Sequence, residues 1–337
     1  MLRPHDAPPY PAGRRVGRIA GEDNANCRIC GNAEGNRTFE AREMMYGTRE
    51  TFAYFQCAGC GCLQIAEVPA DLARFYPPDY TSFKPSPGRR FAGALRGAMR
   101  RARYRYAVLG RGLAGRLLHA LAPKRSLEHL RHVALTLDSR VLDVGCGTGE
   151  LLLILREIGM RHLLGVDAFL VRDLSYPNGL RVLRGTIDDA AGERDCVMFN
   201  YSLEHMSDPH AALGAAAERL APGGTCLARI PLVSSEAWER YGVDWVNLDA
   251  PRHLYLHSAK SFAFLAERAG LRLSRTLYDS DDFQFRGSEL YRRDIPLNSP
   301  AGRKAFSRRQ IRAWRLEAHA LNLESRGDLA TFYLKKK

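Results

Sequence analysis

The chain has 337 residues, a formal net charge of +13 and 45% hydrophobic residues, which suits a globular protein with one sizeable core and a small extra module. No stretch approaches the roughly 20 apolar residues of a membrane-spanning helix, and Met1–Gly21 carries Pro and Arg but no apolar run of a signal peptide. A cytoplasmic location is expected, so the eight cysteines read as metal ligands or small core residues rather than disulfides.

Residues 1–26 read as a disordered lead. Next come Cys27-Arg28-Ile29-Cys30-Gly31 and Cys57-Ala58-Gly59-Cys60-Gly61, two knuckles separated by 26 residues. Each knuckle turns the chain so that two thiolates point at one metal, and its glycine frees the backbone to donate to sulfur. Cys27, Cys30, Cys57 and Cys60 therefore form a candidate zinc ribbon over 27–80. Four thiolates leave no open position, so the zinc is structural rather than catalytic. Cys62 is a spare thiol. Between the knuckles, Arg49–Gln56 alternates roughly like a strand.

From Thr81 to Leu127 there are twelve basic residues, Lys84, Arg89, Arg90, Arg96, Arg100, Arg101, Arg103, Arg105, Arg111, Arg116, Lys124 and Arg125, and no acidic one. The basicity of the chain is thus concentrated in one place. Phe91, Leu95, Ala98, Ala102, Tyr106, Leu109, Leu113 and Leu117 recur at helical steps, and Gly110, Gly112 and Gly115 suggest a break into two helices. Over 81–131 this makes a basic amphipathic linker with three readings. It packs its stripe on the following domain, lies on an anionic membrane surface from the inner face, or grips nucleic acid.

The remainder, 132–337, follows an α/β pattern opened by Arg140–Val144, the loop Gly145-Cys146-Gly147-Thr148-Gly149, and the helix-period run Glu150–Ile158. A dinucleotide fingerprint needs a small residue at position 150. Glu150 stands there instead, and it would repel a pyrophosphate at the helix start. A ligand without phosphate, carrying cationic groups, suits a rim of Asp143 and Glu150. Val141-Leu142-Asp143-Val144-Gly145-Cys146-Gly147-Thr148-Gly149 resembles motif I of the class I methyltransferases that use S-adenosylmethionine. The fold expected is a doubly wound, Rossmann-like, seven-stranded α/β sheet.

Leu163–Asp167 is the second strand, and its terminal acid is placed to accept both ribose hydroxyls. Arg181–Gly185 is the third. By the resemblance, Asp188 binds the adenine amino group and Ile187 lies under the ring, with Asp189 the near competitor for the first role. Asp195–Asn200 is the fourth strand, and Asn200 is counted with Asp143, Gly145, Gly147, Gly149, Glu150 and Asp167 in the cofactor set. His205, just past that strand, is a candidate base because imidazole titrates near neutrality. A helix over Ala211–Leu220, a Pro222-Gly223-Gly224 stop and a fifth strand over Thr225–Ile230 resemble the family's next block.

An insertion follows, with Trp238, Tyr241, Trp245, Tyr255 and a second candidate base, His253. Its aromatics are expected to be platforms for the acceptor. Leu271–Tyr278 is a sixth strand, a polar loop leads to a helix over Arg303–Leu323, and Asp328–Leu334 closes the sheet. The ribbon-then-domain order is similar to methyltransferases of sugar and polysaccharide biosynthesis. Nucleotide-sugar C-methyltransferases place a Leu-x-His and a Tyr-x-Glu-His where Leu203-Glu204-His205 and Ala250-Pro251-Arg252-His253 stand here. Ala250 and Arg252 depart from that pattern, which favours a sugar hydroxyl acceptor over carbon. The alternatives are a ribose 2′-O methyltransferase acting on RNA and a non-catalytic module that binds S-adenosylmethionine.

Overall fold

The computed structural model describes residues 26–77, 80 and 94–337. The expected lead, apart from Asn26, and Lys84, Arg89, Arg90 and Phe91 of the basic segment lie outside the described residues. The chain forms two compact units. One combines the chain up to Leu72 with Pro231–Phe262 and Tyr278–Ala330, and the other combines Ala73–Ile230 with Ala263–Leu277 and Thr331–Lys337. The units are therefore interleaved, whereas the boundaries expected at 80/81 and 131/132 were sequential. They are called here the ribbon unit and the sheet unit.

In the ribbon unit, β1 (Arg37–Arg42) pairs antiparallel with β2 (Thr51–Gln56), and β3 (Leu63–Ile65) joins on the other side of β2. β2 buries the adjacent Tyr54 and Phe55, which point to its opposite faces. The β1–β2 connection is tied by Glu43, which is wholly buried. Its carboxylate accepts the backbone N–H groups of Tyr46, Gly47 and Thr48 at 2.9–3.0 Å.

The basic segment opens the sheet unit with α1 (Ala94–Leu109) and α2 (Leu113–Leu121). The break falls at Gly110 and Gly112, both at positive φ, where side chains other than glycine are strained. Gly115 is not part of the break. It lies within α2, and a Cβ there would stand 2.3 Å from the Ala102 carbonyl oxygen and 2.9 Å from the Tyr106 Cβ. Glycine is what lets the two helices touch. The expected apolar stripe is corrected too: α1 buries Gly97, Tyr104, Ala107 and Val108, while Leu95, Leu113 and Leu117 are exposed. Periodicity identifies a face, but with cations distributed all around α1 it does not say which face is covered.

The sheet then follows in chain order. β4 (Arg140–Val144) leads to α3 (Glu150–Glu157), followed by β5 (His162–Asp167), β6 (Leu174–Ser175), β7 (Arg181–Arg184) and β8 (Arg194–Asn200). After α4 (Pro209–Arg219) comes β9 (Leu220–Pro231), which starts earlier than expected. Leu220 pairs with Arg194 and Thr225 with Cys196, so Ala221–Gly224 bulges within the strand instead of ending before it.

α5 (Glu236–Tyr241) and β10 (Tyr255–Leu256) lie in the insertion. β10 pairs antiparallel with β3, which extends the ribbon sheet to β1-β2-β3-β10. α6 (Ala259–Arg268) and β11 (Leu271–Tyr278) follow. The expected polar loop is in fact α7 (Phe283–Arg292). Gly287 and Ser288 hid it by lowering helix propensity, but a Cβ at Gly287 would stand 2.4 Å from Val246 Cγ2. The same glycine that weakens the local signal permits the packing. α8 (Arg308–Leu323) starts five residues later than expected, at a capping box formed by Ser307 and Gln310, and β12 (Leu329–Lys336) ends the chain's elements.

The large sheet runs β11-β12-β9-β8-β4-β5-β7-β6. The β4–β5, β4–β8, β5–β7 and β8–β9 pairs are parallel, and β6–β7 is antiparallel. Eight strands replace the expected seven because the two-residue β6 adds an edge. Val141, Leu152, Leu155, Leu163, Met198 and Leu227 form its core together with Tyr104, Val108 and Leu130. Cys196 and Cys226 are wholly buried in neighbouring strands, as packing residues should be. Successive crossovers on either side of β4 make its carboxyl end the switch point of the sheet, where such folds bind ligands.

Gly115→Ala is expected to lower stability by about 1–3 kcal/mol, since the added methyl forces α1 and α2 apart. Gly214→Ala, inside α4 with nothing within 4 Å of the new Cβ, is expected to be neutral or to stabilise by up to about 1 kcal/mol. Urea denaturation of the two variants checks the pair.

Candidate active site

The loop after β4 is shaped by close approach. Gly145, Gly147 and Gly149 all have positive φ, and a Cβ on Gly145 would lie 2.4 Å from the Ser202 Cβ. Ser202 follows β8, and its hydroxyl donates to the Val144 carbonyl at 2.6 Å. The turns after β4 and β8 are thereby locked together. On the other side, Asp167 Oδ2 accepts the Gly147 N–H at 2.7 Å, and its Oδ1 accepts the Phe169 N–H at 2.9 Å.

Around this cradle the acidic residues differ in setting. Asp143 is buried, and burial pushes its carboxyl up to about 7, opposed by the Asn200 amide and reinforced by Asp167. Asn200 Nδ2 donates to Asp143 Oδ1 at 3.4 Å, so these two members of the expected set meet. Burial also raises Asp167, against the two N–H groups it accepts. Glu150 opens α3 and is exposed. Ile187 is buried at the head of the short turn Ile187–Asp189. Asp188 is largely exposed and has Arg219 Nη2 at 3.3 Å. Its competitor Asp189 is engaged in a capping box, accepting the Thr186 N–H at 2.8 Å. A bare-backbone cradle rimmed by buried carboxyls fits S-adenosylmethionine, whose ammonium and sulfonium are cationic.

His205 stands in the turn after β8, with its Nδ1 3.0 Å from the Tyr76 hydroxyl. The Tyr76 ring stacks on Phe169 with centroids 4.9 Å apart and meets Tyr80 edge-on at 5.1 Å. Tyr201 is half-exposed at positive φ beneath the Arg229 guanidinium. Sequence reasoning missed Tyr76, Phe169 and Ser202. Nothing in the spacing of the Tyr-Pro-rich run at 76–80 points to His205.

In the ribbon unit, the four expected ligands come together, with their sulfurs all within 4.8 Å of one another. Cys27 and Cys60 sulfurs are 3.6 Å apart, and those of Cys30 and Cys57 3.5 Å. A tetrahedron with bonds of about 2.3 Å has edges of about 3.8 Å. Both knuckles turn alike, with Gly31 and Gly61 at positive φ and donating to the carbonyls of Cys27 and Cys57. The N–H groups of Cys30 and Cys60 point at the sulfurs of Cys27 and Cys57. Gln64 Nε2 reaches Cys27 Sγ at 2.8 Å. The bond with the Cys60 thiol pulls the Cys27 thiol well down despite its burial. The donor set fits zinc. Cys62 stands apart from it, 4.0 Å from His257 Nδ1.

The insertion does not present its aromatics as platforms. Trp238, Tyr241, Trp245 and Tyr255 are buried. Trp245 Nε1 donates to Asp328 Oδ2 at 2.9 Å, and Trp238 packs edge-on against both Phe39 and Trp245. They build the unit's core. Arg252, wholly buried, pairs with Glu43 at 2.8 Å and Asp249 at 2.6 Å. Arg252 is thus a structural cation. His253 Nδ1 lies 2.7 Å from the Asn247 carbonyl, which can only accept. Nδ1 therefore carries the hydrogen and Nε2 the lone pair. Burial holds this imidazole below its usual range. His205 belongs to the sheet unit and His253 to the ribbon unit.

A family model described as a methyltransferase domain matches residues 101–275. The chain is similar to ubiquinone biosynthesis O-methyltransferases of Xanthomonas campestris pv. campestris strain B100, with 36% identity over 120 residues, 32% of this chain and 49% of that protein. The protein of that name from Xanthomonas axonopodis pv. citri is 34% identical over 118 residues, covering 32% and 48%. The chain thus spans about half the length of the curated relatives it matches. Among solved structures, it resembles an S-adenosylmethionine-dependent methyltransferase from Mesorhizobium loti with a TM-score of 0.41 and 16% identity, over 64% of this chain and all of that one. One from Archaeoglobus fulgidus gives 0.40 and 17%, over 67% and 100%.

Because Asp143 is raised in the folded state, the native chain holds a proton that the unfolded chain has lost between pH about 4 and 7, so stability falls as pH rises through that window. Asp143→Asn is expected to be more stable than the parent at pH 7 and nearly equal to it at pH 4, with a shallower slope between. Chemical denaturation across that range measures it, and parallel slopes would contradict the raised carboxyl.

Proposed function

The chain belongs to the methyltransferase domain family, its sheet unit being a domain of the S-adenosylmethionine-dependent class, and on that premise we propose that it methylates a hydroxyl of a small-molecule or glycan acceptor. A sugar hydroxyl in polysaccharide or glycoconjugate biosynthesis is the first reading. The observation that carries it is His205, held by the Tyr76 hydroxyl at the carboxyl end of β8 beside the glycine cradle.

Bound S-adenosylmethionine supplies an electrophilic methyl group. The chain's own residues bind and orient it. Gly145, Gly147 and Gly149 give it bare backbone, Glu150 offers negative charge to its cationic end, with Asp143 ionising against its burial as that cation binds, and Asp167 offers acceptors to the ribose. Asp188 takes the adenine amino group, and Ile187 supports the ring. Asn200 acts through Asp143, to which it donates.

The acceptor must lose a proton as its oxygen gains the methyl, and His205 takes it. For Nε2 to accept that proton, Nδ1 must carry the hydrogen and donate to the Tyr76 oxygen. That bond also fixes the ring's direction. Tyr76, Phe169 and Tyr80 supply an aromatic face, suited to a sugar ring or a planar acceptor. The curated relatives, named for ubiquinone biosynthesis, favour a phenolic hydroxyl as the second reading, with the same base. His253 remains the alternative base, with its tautomer already set for proton acceptance.

The cysteine cluster holds a structural zinc in this reading. Glu43 and Gln64 link the ribbon to its surroundings, the first through Arg252 and the second through the Cys27 sulfur.

His205→Ala is expected to reduce turnover by about 100-fold or more while leaving S-adenosylmethionine affinity unchanged by calorimetry. A labelled-methyl screen over nucleotide sugars, glycans and phenols, read by mass spectrometry, supplies the acceptor for that assay. Full activity in His205→Ala together with loss in His253→Ala would transfer the base to His253. For the ribbon, one zinc per chain is expected by elemental analysis. Cys57→Ser should lose the metal and melt at lower temperature, since binding and folding are coupled there.

A further inference from the structure

The α1–α2 hairpin of the sheet unit holds apolar side chains in water. Leu113, Leu117 and Leu121 recur at four-residue steps along α2 and are 80%, 68% and 84% exposed. They share one face, since a four-residue step returns to nearly the same side of a helix. The opposite face is already used: Gly115 lies against Ala102 and Tyr106, and the His119 ring packs on Tyr106 at 5.5 Å. On α1, Leu95 and Met99 are likewise exposed and four apart.

The charge around these residues has one sign. Arg96, Arg101, Arg105, Arg111, Arg116 and Arg125 are exposed, and there is no acidic residue from Ala94 to Leu127. Arg100 is engaged by Glu157 at 2.6 Å. The nearest acid along the chain, Glu128, is 2.8 Å from His119 Nε2.

We propose that this hairpin docks on an anionic phospholipid surface, with Leu113, Leu117 and Leu121 entering the acyl boundary and the arginines meeting the headgroups. The two features need each other in this partner and in few others. Lipid phosphates take the cations, and the acyl region takes leucines that water holds at a cost. Arginine stems reach from an apolar depth to a polar one, so neighbouring Arg and Leu do not compete. A nucleic acid takes the arginines but offers little to an aliphatic row. A second copy would cover the leucines only by placing acid-free, cationic faces against each other. No described helix is long and apolar enough to cross a membrane, so docking is peripheral.

The test uses the full chain in flotation with vesicles of phosphatidylcholine containing phosphatidylglycerol, and with phosphatidylcholine alone. Binding is expected only with the anionic lipid, weakening as salt rises. Replacing Leu113, Leu117 and Leu121 together by Ser should weaken it by about tenfold or more. Because those side chains are exposed, the triple variant should keep the parent's melting temperature, methyl transfer to a water-soluble acceptor and affinity for S-adenosylmethionine. Absence of binding to the anionic vesicles overturns the proposal, as does binding indifferent to the leucine replacements. A parent dimer that the triple variant converts to monomer in sedimentation would assign the face to a second copy instead. Salt-sensitive binding of single-stranded RNA without any lipid binding would assign it to nucleic acid.

Discussion

A missing Cβ organises the sheet unit. β4 is paired in parallel with β5 on one side and β8 on the other, so the turns leaving β4 and β8 emerge next to each other at one edge. With any side chain at position 145, they would collide, since Ser202 occupies that space. Glycine lets the Ser202 hydroxyl reach the Val144 carbonyl, and that bond fixes the height of the His205 turn relative to the glycine loop. Asp167 ties the same loop from β5 through Gly147. Three strand ends are thus joined by short bonds around a strip of bare backbone, a preorganised seat rather than a flexible one.

The ribbon unit solves a different problem. The cysteine-bearing segment, Pro231–Phe262 and Tyr278–Ala330 belong to one unit, and Met44, Val246, Leu290 and Tyr291 form a core drawn from all three. The buried ion pairs of Arg252 with Glu43 and Asp249 connect the β1–β2 turn to the insertion. A buried charge is tolerated only with its partners in place. Here Glu43 is satisfied by three backbone N–H groups as well as by the guanidinium. This explains why the insertion's tryptophans are interior: Trp245 and Asn247 converge on Asp328, whose carboxyl burial raises to about 6. Residues that resemble an acceptor platform in one dimension are the filling of a second core in three.

What was legible in the sequence follows from the range of each interaction. β4 and the parallel core strands were readable because a buried parallel strand is a continuous apolar run. The knuckles were readable because metal geometry is written in local spacing. α7 was hidden because its stability comes from contact with Val246 and not from propensity. β10 has only two residues, and its pairing with β3 joins positions far apart in sequence. The face of α1 was misjudged because arginine stems are compatible with both burial and exposure. Of the candidate site, Asp143, Gly145, Asp167 and His205 are proposed from motif and strand ends. Tyr76 could not be, since its bond to His205 spans 129 positions.

The two histidines differ in a way that bears on chemistry. The Asn247 carbonyl can only accept, so His253 is restricted to one neutral tautomer, and burial disfavours its cation. A proton taken by His253 would have to be held against that desolvation. His205 faces a phenol, which both donates and accepts. Its ring can carry hydrogen on Nδ1 while Nε2 takes a proton, and the resulting cation keeps its bond to the Tyr76 oxygen and lies near that ring's aromatic system. A base must be as comfortable after the transfer as before it. By that criterion His205 is the stronger candidate for the proposed base, and His253 is the better fixed element of structure.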